Sequence, residues 1–145
     1  IATIILDVYS LFNRRIEQKK LLVTLDLKNI EILADQDMVQ FVITNIISNA
    51  VKYTYDGFIN VRMVECENMC CVTITDSGIG MLPEILEGLF RVDVKKTGLD
   101  ENGEPGTGLG MVIVKEYMDI LKGKIFVKSI LGQGTEVEMK FPISK

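Results

Sequence analysis

Asn45-Ile-Ile-Ser-Asn49-Ala-Val-Lys52-Tyr53 decides how this chain is read. Val39, Val42, Ile46 and Ala50 recur at helical spacing, so the segment lies on a helix that starts near Asp35 and carries acidic residues in its first turn, where the helix dipole is positive. Asn45, Asn49 and Lys52 or Tyr53 follow one another at helical steps, forming a polar stripe beside the apolar one. Two more polar, glycine-bearing segments come later, Asp76-Ser-Gly78-Ile79-Gly80-Met and Gly106-Thr107-Gly108-Leu109-Gly110, each at the edge of an apolar stretch. Amide, carboxylate and bare backbone in that order suit a nucleotide held with a metal ion.

Around this helix the period-two pattern dominates. Asp56-Gly57 ends the helical segment, then Ile59, Val61 and Met63 alternate with Asn60 and Arg62 as a half-buried strand does. Cys71 to Asp76 reads as its hairpin partner. Val72 and Ile74 share a face with Asp76, so that carboxylate points inward, where it needs a donor from the protein or from a ligand. Upstream, Ile5, Val8, Phe12 and Ile16 predict one amphipathic helix over residues 2 to 19, with Asp7, Asn13, Arg14 and Lys19 turned away from the core. Leu21 to Leu27 and Ile30 to Leu33 predict two strands joined by a tight turn at Lys28-Asn29. Downstream, a short helix near Glu84 to Phe90 precedes a charged, irregular insert. Helical periodicity resumes at Leu109, Val112, Glu116 or Tyr117 and Ile120, and stops before Gly123. Two strands finish the chain, the last alternating Thr135, Val137, Met139 and Phe141 with Glu136, Glu138 and Lys140.

The chain has 145 residues, 48% of them hydrophobic, which is enough for one substantial core and predicts a single domain. A net charge of -4, with basic residues dispersed, argues against nucleic acid as a partner. No apolar run reaches the roughly 20 residues that span a bilayer, and no leader is read at the start, so these residues are expected to be soluble. Cys66, Cys70 and Cys71 match no CxxC ligand pair and read as buried structural residues. The chain contains no histidine, so any phosphoryl acceptor that is a histidine must lie elsewhere.

Asn45 and Asn49 can present neutral oxygens to a hard cation such as magnesium, which takes its remaining ligands from water and substrate phosphates. Taken alone, the pair reads equally well as exposed asparagines. Gly78 and Gly80 let the backbone turn and approach a flat ligand, and Asp76 can accept a hydrogen bond from an exocyclic amine; a plain turn after a strand gives the same letters. The Gly106 segment opens a helix, where bare amides can cradle phosphate or simply provide a hinge. Its spacing is GxGxG and not GxGxxG, no Walker-type loop is present, and the eukaryotic-type protein kinase set fails for want of histidine.

These residues resemble the catalytic, ATP-binding domain of bacterial two-component sensor histidine kinases, within the GHKL (HATPase_c) superfamily shared with type II topoisomerases, heat-shock chaperone ATPases and mismatch-repair ATPases. The resemblance runs from Asp35-Gln-Asp37 through Asn49-Ala-Val-Lys-Tyr-Thr54, the Asp76 box, Leu89-Phe90-Arg91 and Gly106-Thr-Gly-Leu-Gly110 to Gly132-Gln-Gly-Thr135 and Phe141-Pro142. It implies an α/β (α+β) two-layer sandwich, a mixed five-stranded sheet on three helices, in the Bergerat-type ATP-binding fold. Residues 1–145 would form that domain, with 1–19 a leading helix and 82–106 a mobile ATP lid.

By the same resemblance ATP and Mg2+ are the cofactors. Asp76 would recognise adenine, with Gly78, Ile79 and Gly80 beside it; Tyr53 would pack on the base; and Asn49 with Asn45 would bind the metal. Lys52 and Arg91 would steady the phosphates, Phe90 would dock on lid closure or anchor the core, and Gly106, Thr107, Gly108, Leu109, Gly110 and Thr135 would complete the site. The related hydrolases carry a glutamate where Asn45 stands; an amide is no general base near neutral pH, so transfer to a histidine is favoured over hydrolysis. The partners implied are a dimerisation and histidine-phosphotransfer domain of the same protein and, downstream, a response-regulator receiver domain. The domain would be cytoplasmic, and the full-length protein dimeric and anchored in the bacterial inner membrane.

Phe41, Met111 and Leu121-Lys122-Gly123 depart from the family pattern without removing a proposed contact. Two other readings compete: a degenerate nucleotide-binding sensor or scaffold without phosphoryl transfer, and an ATP-driven dimerisation clamp, which Asn45 disfavours.

Overall fold

The computed structural model describes residues 1–91 and 109–144. In chain order the elements are α1 (Ala2–Leu11), α2 (Asn13–Lys19), β1 (Leu22–Asp26), α3 (Gln36–Tyr53), β2 (Phe58–Cys66), β3 (Met69–Asp76), α4 (Pro83–Glu87), α5 (Gly110–Ile120), β4 (Lys124–Ile130) and β5 (Gly134–Pro142). The strands form one five-stranded sheet in the order β1-β2-β3-β5-β4. β1 runs parallel to β2 across the α3 crossover and the other pairs are antiparallel, which makes the expected mixed sheet.

One face of the sheet carries the core. Ile59, Val61 and Met63 of β2, Val72 and Ile74 of β3 and Met139 and Phe141 of β5 are buried there. Val39, Val42, Ile43 and Val51 of α3, Ile5 and Val8 of α1 and Val114 and Met118 of α5 close over them. Each such aliphatic side chain contributes about 1.5–3 kcal/mol when fully buried. The result is helices packed on a single sheet face, the expected two-layer arrangement. None of the described helices is long and apolar enough to cross a membrane.

Five local expectations are corrected. The leading segment is two helices, because Phe12 (φ -104°, ψ 5°) leaves helical geometry and its N–H bonds the Tyr9 carbonyl at 3.1 Å. Neither proline nor glycine marks that break, and the apolar period runs straight through it. Lys19 is also not turned to solvent; it reaches the end of α3.

Ile30 to Leu33 is not a hairpin partner of β1, whose hydrogen bonds go to β2. Ile32 instead makes a single bridge with Ile143, and Leu33 N–H donates to the Pro142 carbonyl at 3.0 Å. On α5 the buried residues are Met111, Val114 and Met118, while Leu109 and Ile120 are exposed, so the apolar period chosen from sequence lies one face away. Lastly, Cys66 and Cys71 pair as a disulfide across the β2–β3 hairpin. Cys70 is buried as expected, and burial pushes its thiol up to about 11.

Candidate functional site

α3 starts where expected: the Asp35 side chain caps it by accepting from Met38 N–H at 3.0 Å. Its buried stripe holds it on the sheet, and the adjoining stripe then lines a cavity of about 370 Å³, within the range of small-molecule sites. Asn45, Asn49, Lys52 and Tyr53 all line it, half-buried. Ser48 joins them, a position the four-residue steps passed over.

Opposite in sequence but on the same cavity stands Asp76, at the end of β3. Its Oδ1 accepts from Gly78 N–H at 2.9 Å and from Thr135 N–H at 3.2 Å. Among the described residues Oδ2 accepts nothing. Burial raises the Asp76 pKa above the ordinary carboxylate value, and the Gly78 and Thr135 N–H groups pull it back in part. The two backbone N–H groups thus hold one oxygen of the carboxylate and not the other.

Gly78 is required by close approach. A Cβ there would collide with the Tyr53 carbonyl and come within 2.9 Å of both Asp76 Oδ1 and Thr54 Oγ1. Ile79 N–H donates to that Tyr53 carbonyl at 3.0 Å, so the loop after β3 is stitched to the end of α3. On its far side the loop is pinned to the β4–β5 hairpin: Gly132 N–H donates to the Ile79 carbonyl at 2.7 Å and Met81 N–H to Ser129 Oγ at 2.8 Å. Ser129 also donates to the Gly134 carbonyl at 3.0 Å and lies 2.9 Å from Thr135 Oγ1. Sequence reasoning missed Ser129, and only its two-residue step from Val127, which puts both on one face of β4, could have hinted that it faces the core side.

Ile79, Gly80, Gly110 and Thr135 also line the cavity. Gly78, Phe90, Arg91 and Leu109 do not; Phe90 packs against the core instead. Gly106, Thr107 and Gly108 lie outside the described residues. The apolar wall includes Ile74, Met81, Leu89, Met111 and Val127, none of which is among the site residues expected from sequence. Asn45 has a second role: its Nδ2 donates to the Phe41 carbonyl at 3.1 Å while its Oδ1 lies against Gly110 at the start of α5.

A polar stripe of amides and an amine, an oriented carboxylate and an apolar wall thus share one cavity beside α3. Residues 34–145 match the family described as histidine kinase-, DNA gyrase B- and HSP90-like ATPase, and the chain belongs to it. Among curated relatives, it is 34% identical over 122 residues to the autoinducer 2 sensor kinase/phosphatase LuxQ of Vibrio parahaemolyticus, covering 79% of this chain and 14% of LuxQ. It is 38% identical over 109 residues to the sensor protein SrrB of Staphylococcus aureus, covering 74% of this chain and 19% of SrrB. The histidine protein kinase DivJ of Caulobacter vibrioides is 30% identical over 115 residues, covering 79% of this chain and 19% of DivJ. The chain therefore spans only 14–19% of the length of these relatives.

Among solved structures, the catalytic domain of histidine kinase ThkA superposes with a TM-score of 0.83 at 23% identity, covering 98% of this chain and 91% of that one. Full-length ShkA in complex with AMPPNP gives 0.81 at 23% identity, covering 99% and 30%. The fold is that of histidine kinase catalytic domains.

Proposed function

We propose that this domain binds Mg-ATP in the cavity beside α3 and donates the γ-phosphoryl group to a histidine on a separate dimerisation domain of the same sensor kinase. The observation that carries the reading is Asp76, held by two backbone N–H groups through Oδ1 and sharing one cavity with the α3 stripe. Oδ2 accepts from the adenine amine, and Tyr53 packs on the base. Gly78, Ile79 and Gly80 shape the approach to it, and Thr135 holds the carboxylate.

The donor set suits magnesium brought with the nucleotide. Asn49, with Asn45 beside it, offers neutral amide oxygens, and the cation's charge is met by the phosphates. The metal supplies neutralisation of the phosphate oxygens; Lys52 adds charge on the same face. Arg91 is assigned to the phosphates, and Phe90, which packs against the core, to the lid contact beside them. Gly106, Thr107, Gly108, Leu109 and Gly110 are assigned to the phosphates through their backbone N–H groups.

In the transfer, a histidine nitrogen bonds to the γ-phosphorus in line as the bond to the β–γ bridging oxygen breaks, leaving ADP with that electron pair. This domain contributes position and charge. With an amide at Asn45 and no carboxylate there, activation of water is disfavoured. The whole kinase, far longer than this chain if it matches its relatives, is proposed to be dimeric, anchored in the bacterial inner membrane and coupled to a response-regulator receiver domain.

Calorimetric titration with a non-hydrolysable ATP analogue, with and without magnesium and with GTP as competitor, tests this. Magnesium-dependent, adenine-selective binding is expected. No binding by a folded sample would replace the reading by a degenerate scaffold.

A further inference from the structure

The last carbonyls of a helix have no partner inside the helix and must find donors elsewhere. At the end of α3 two separate elements provide them. Lys19 Nζ, from the last turn of α2, donates to the carbonyls of Val51 at 2.5 Å, Lys52 at 3.1 Å and Thr54 at 3.1 Å. The Tyr53 carbonyl between them takes Ile79 N–H from the loop after Asp76. The ammonium also stands 5.3 Å from the centre of the Tyr55 ring. A cation is favoured at this negative end of the helix dipole, and its hydrogen bonds to carbonyls are charge-assisted.

The stretch so gripped is the one that carries Lys52 and Tyr53 into the cavity. Lys19 itself does not line the cavity, and it precedes residues 34–145, which the family model matches. Its own position is set by Ile16, buried in the core one turn earlier, and by Leu21 N–H, which donates to the Ile16 carbonyl at 3.1 Å. A shift of α2 therefore pulls on the backbone of residues 51–54 through three hydrogen bonds.

We propose that Lys19 is a positioning residue for the nucleotide site: from the leading helical segment it sets the backbone that places Lys52 and Tyr53, so nucleotide affinity depends on α2. This rests on the cavity being the nucleotide site. The segment before α3 then acts on the site through that contact, without touching the ligand.

The test is calorimetric affinity for a non-hydrolysable ATP analogue with magnesium, in wild type, Lys19→Met and Lys19→Arg, with the thermal midpoint measured in parallel. Lys19→Met is expected to bind about three- to tenfold more weakly at unchanged stoichiometry per folded molecule, and Lys19→Arg, which keeps charge and donors, to recover most of the loss. A Lys19→Met protein with a lower midpoint but wild-type affinity overturns the proposal, since that is a structural cap alone. So does a Lys19→Arg protein as weak as Lys19→Met. If Lys19→Met does not fold, Lys19→Gln replaces it, and wild-type affinity there overturns the proposal equally. Absence of binding by wild type itself overturns the nucleotide reading, and this inference with it.

Discussion

Asn45 and Gly110 interlock: the Asn45 Oδ1 occupies the place that a Cβ on residue 110 would take, while its Nδ2 is tied to the Phe41 carbonyl at 3.1 Å. The start of α5 and the polar stripe of α3 therefore meet at one side chain. Any side chain at 110 has to displace an amide that lines the cavity.

Gly110→Ala is expected to rotate Asn45 and break its bond to Phe41, since the obstructing atom is the end of a side chain and not backbone. The stability loss should be about 1 kcal/mol, the worth of one hydrogen bond, seen as a lower urea midpoint. Magnesium-dependent nucleotide binding should weaken as well. A variant unchanged in both would show that the interlock has no energetic weight.

Asn49→Ala should weaken nucleotide binding by about tenfold with magnesium present, roughly 1.4 kcal/mol, and much less in chelator. Titrations in the two conditions decide it: equal weakening in both removes Asn49 from the metal.

Asp76→Ala removes a charge-assisted acceptor, and affinity should fall by roughly 1.5–3 kcal/mol, about 10- to 150-fold. Retained affinity in a folded variant contradicts the adenine role of Asp76.

The same carboxylate should cost stability. Burial raises its folded pKa above the unfolded value, so the native state binds the proton more tightly and stability from this group falls as pH rises through the raised pKa. Asp76→Asn keeps an oxygen for the Gly78 and Thr135 N–H groups without the buried charge. It should therefore stabilise the apo protein more at about pH 7 than at about pH 3, below the ordinary carboxylate value. Urea midpoints at the two pH values check this, and a gain that is larger in acid reverses the assignment.

Lys20 closes α2 in the left-handed region, at φ 58° and ψ 39°, with its side chain exposed. Lys20→Gly should raise stability by up to about 1 kcal/mol, because a Cβ is penalised there and glycine is not. A fall in the thermal midpoint would mean that the Lys20 side chain has a packing role.

Much of the site was legible because it sits on strongly periodic elements. Asn45, Asn49, Lys52 and Tyr53 follow from the apolar stripe of α3, and the inward turn of Asp76 follows from counting by two from Val72 and Ile74. The failures fall where local pattern is silent about partners. Ile30 to Leu33 is apolar enough for a strand, yet its one bridge goes to Ile143, over a hundred residues away along the chain. The α5 face was misjudged because apolar residues occur around most of that helix, and only its seat against α3 and the sheet selects Met111, Val114 and Met118.

By itself the sequence determined the class of fold and the chemistry on offer, since hydrophobic period sets which face is buried and residue type sets which groups stand beside it. Tertiary structure alone decided the connections: which oxygen of Asp76 is held, that Ser129 pins the loop, that Cys66 meets Cys71, and that Lys19 caps α3. These depend on donors and acceptors brought together from distant positions, and the need of a buried polar group for a partner does not say where along the chain that partner will be.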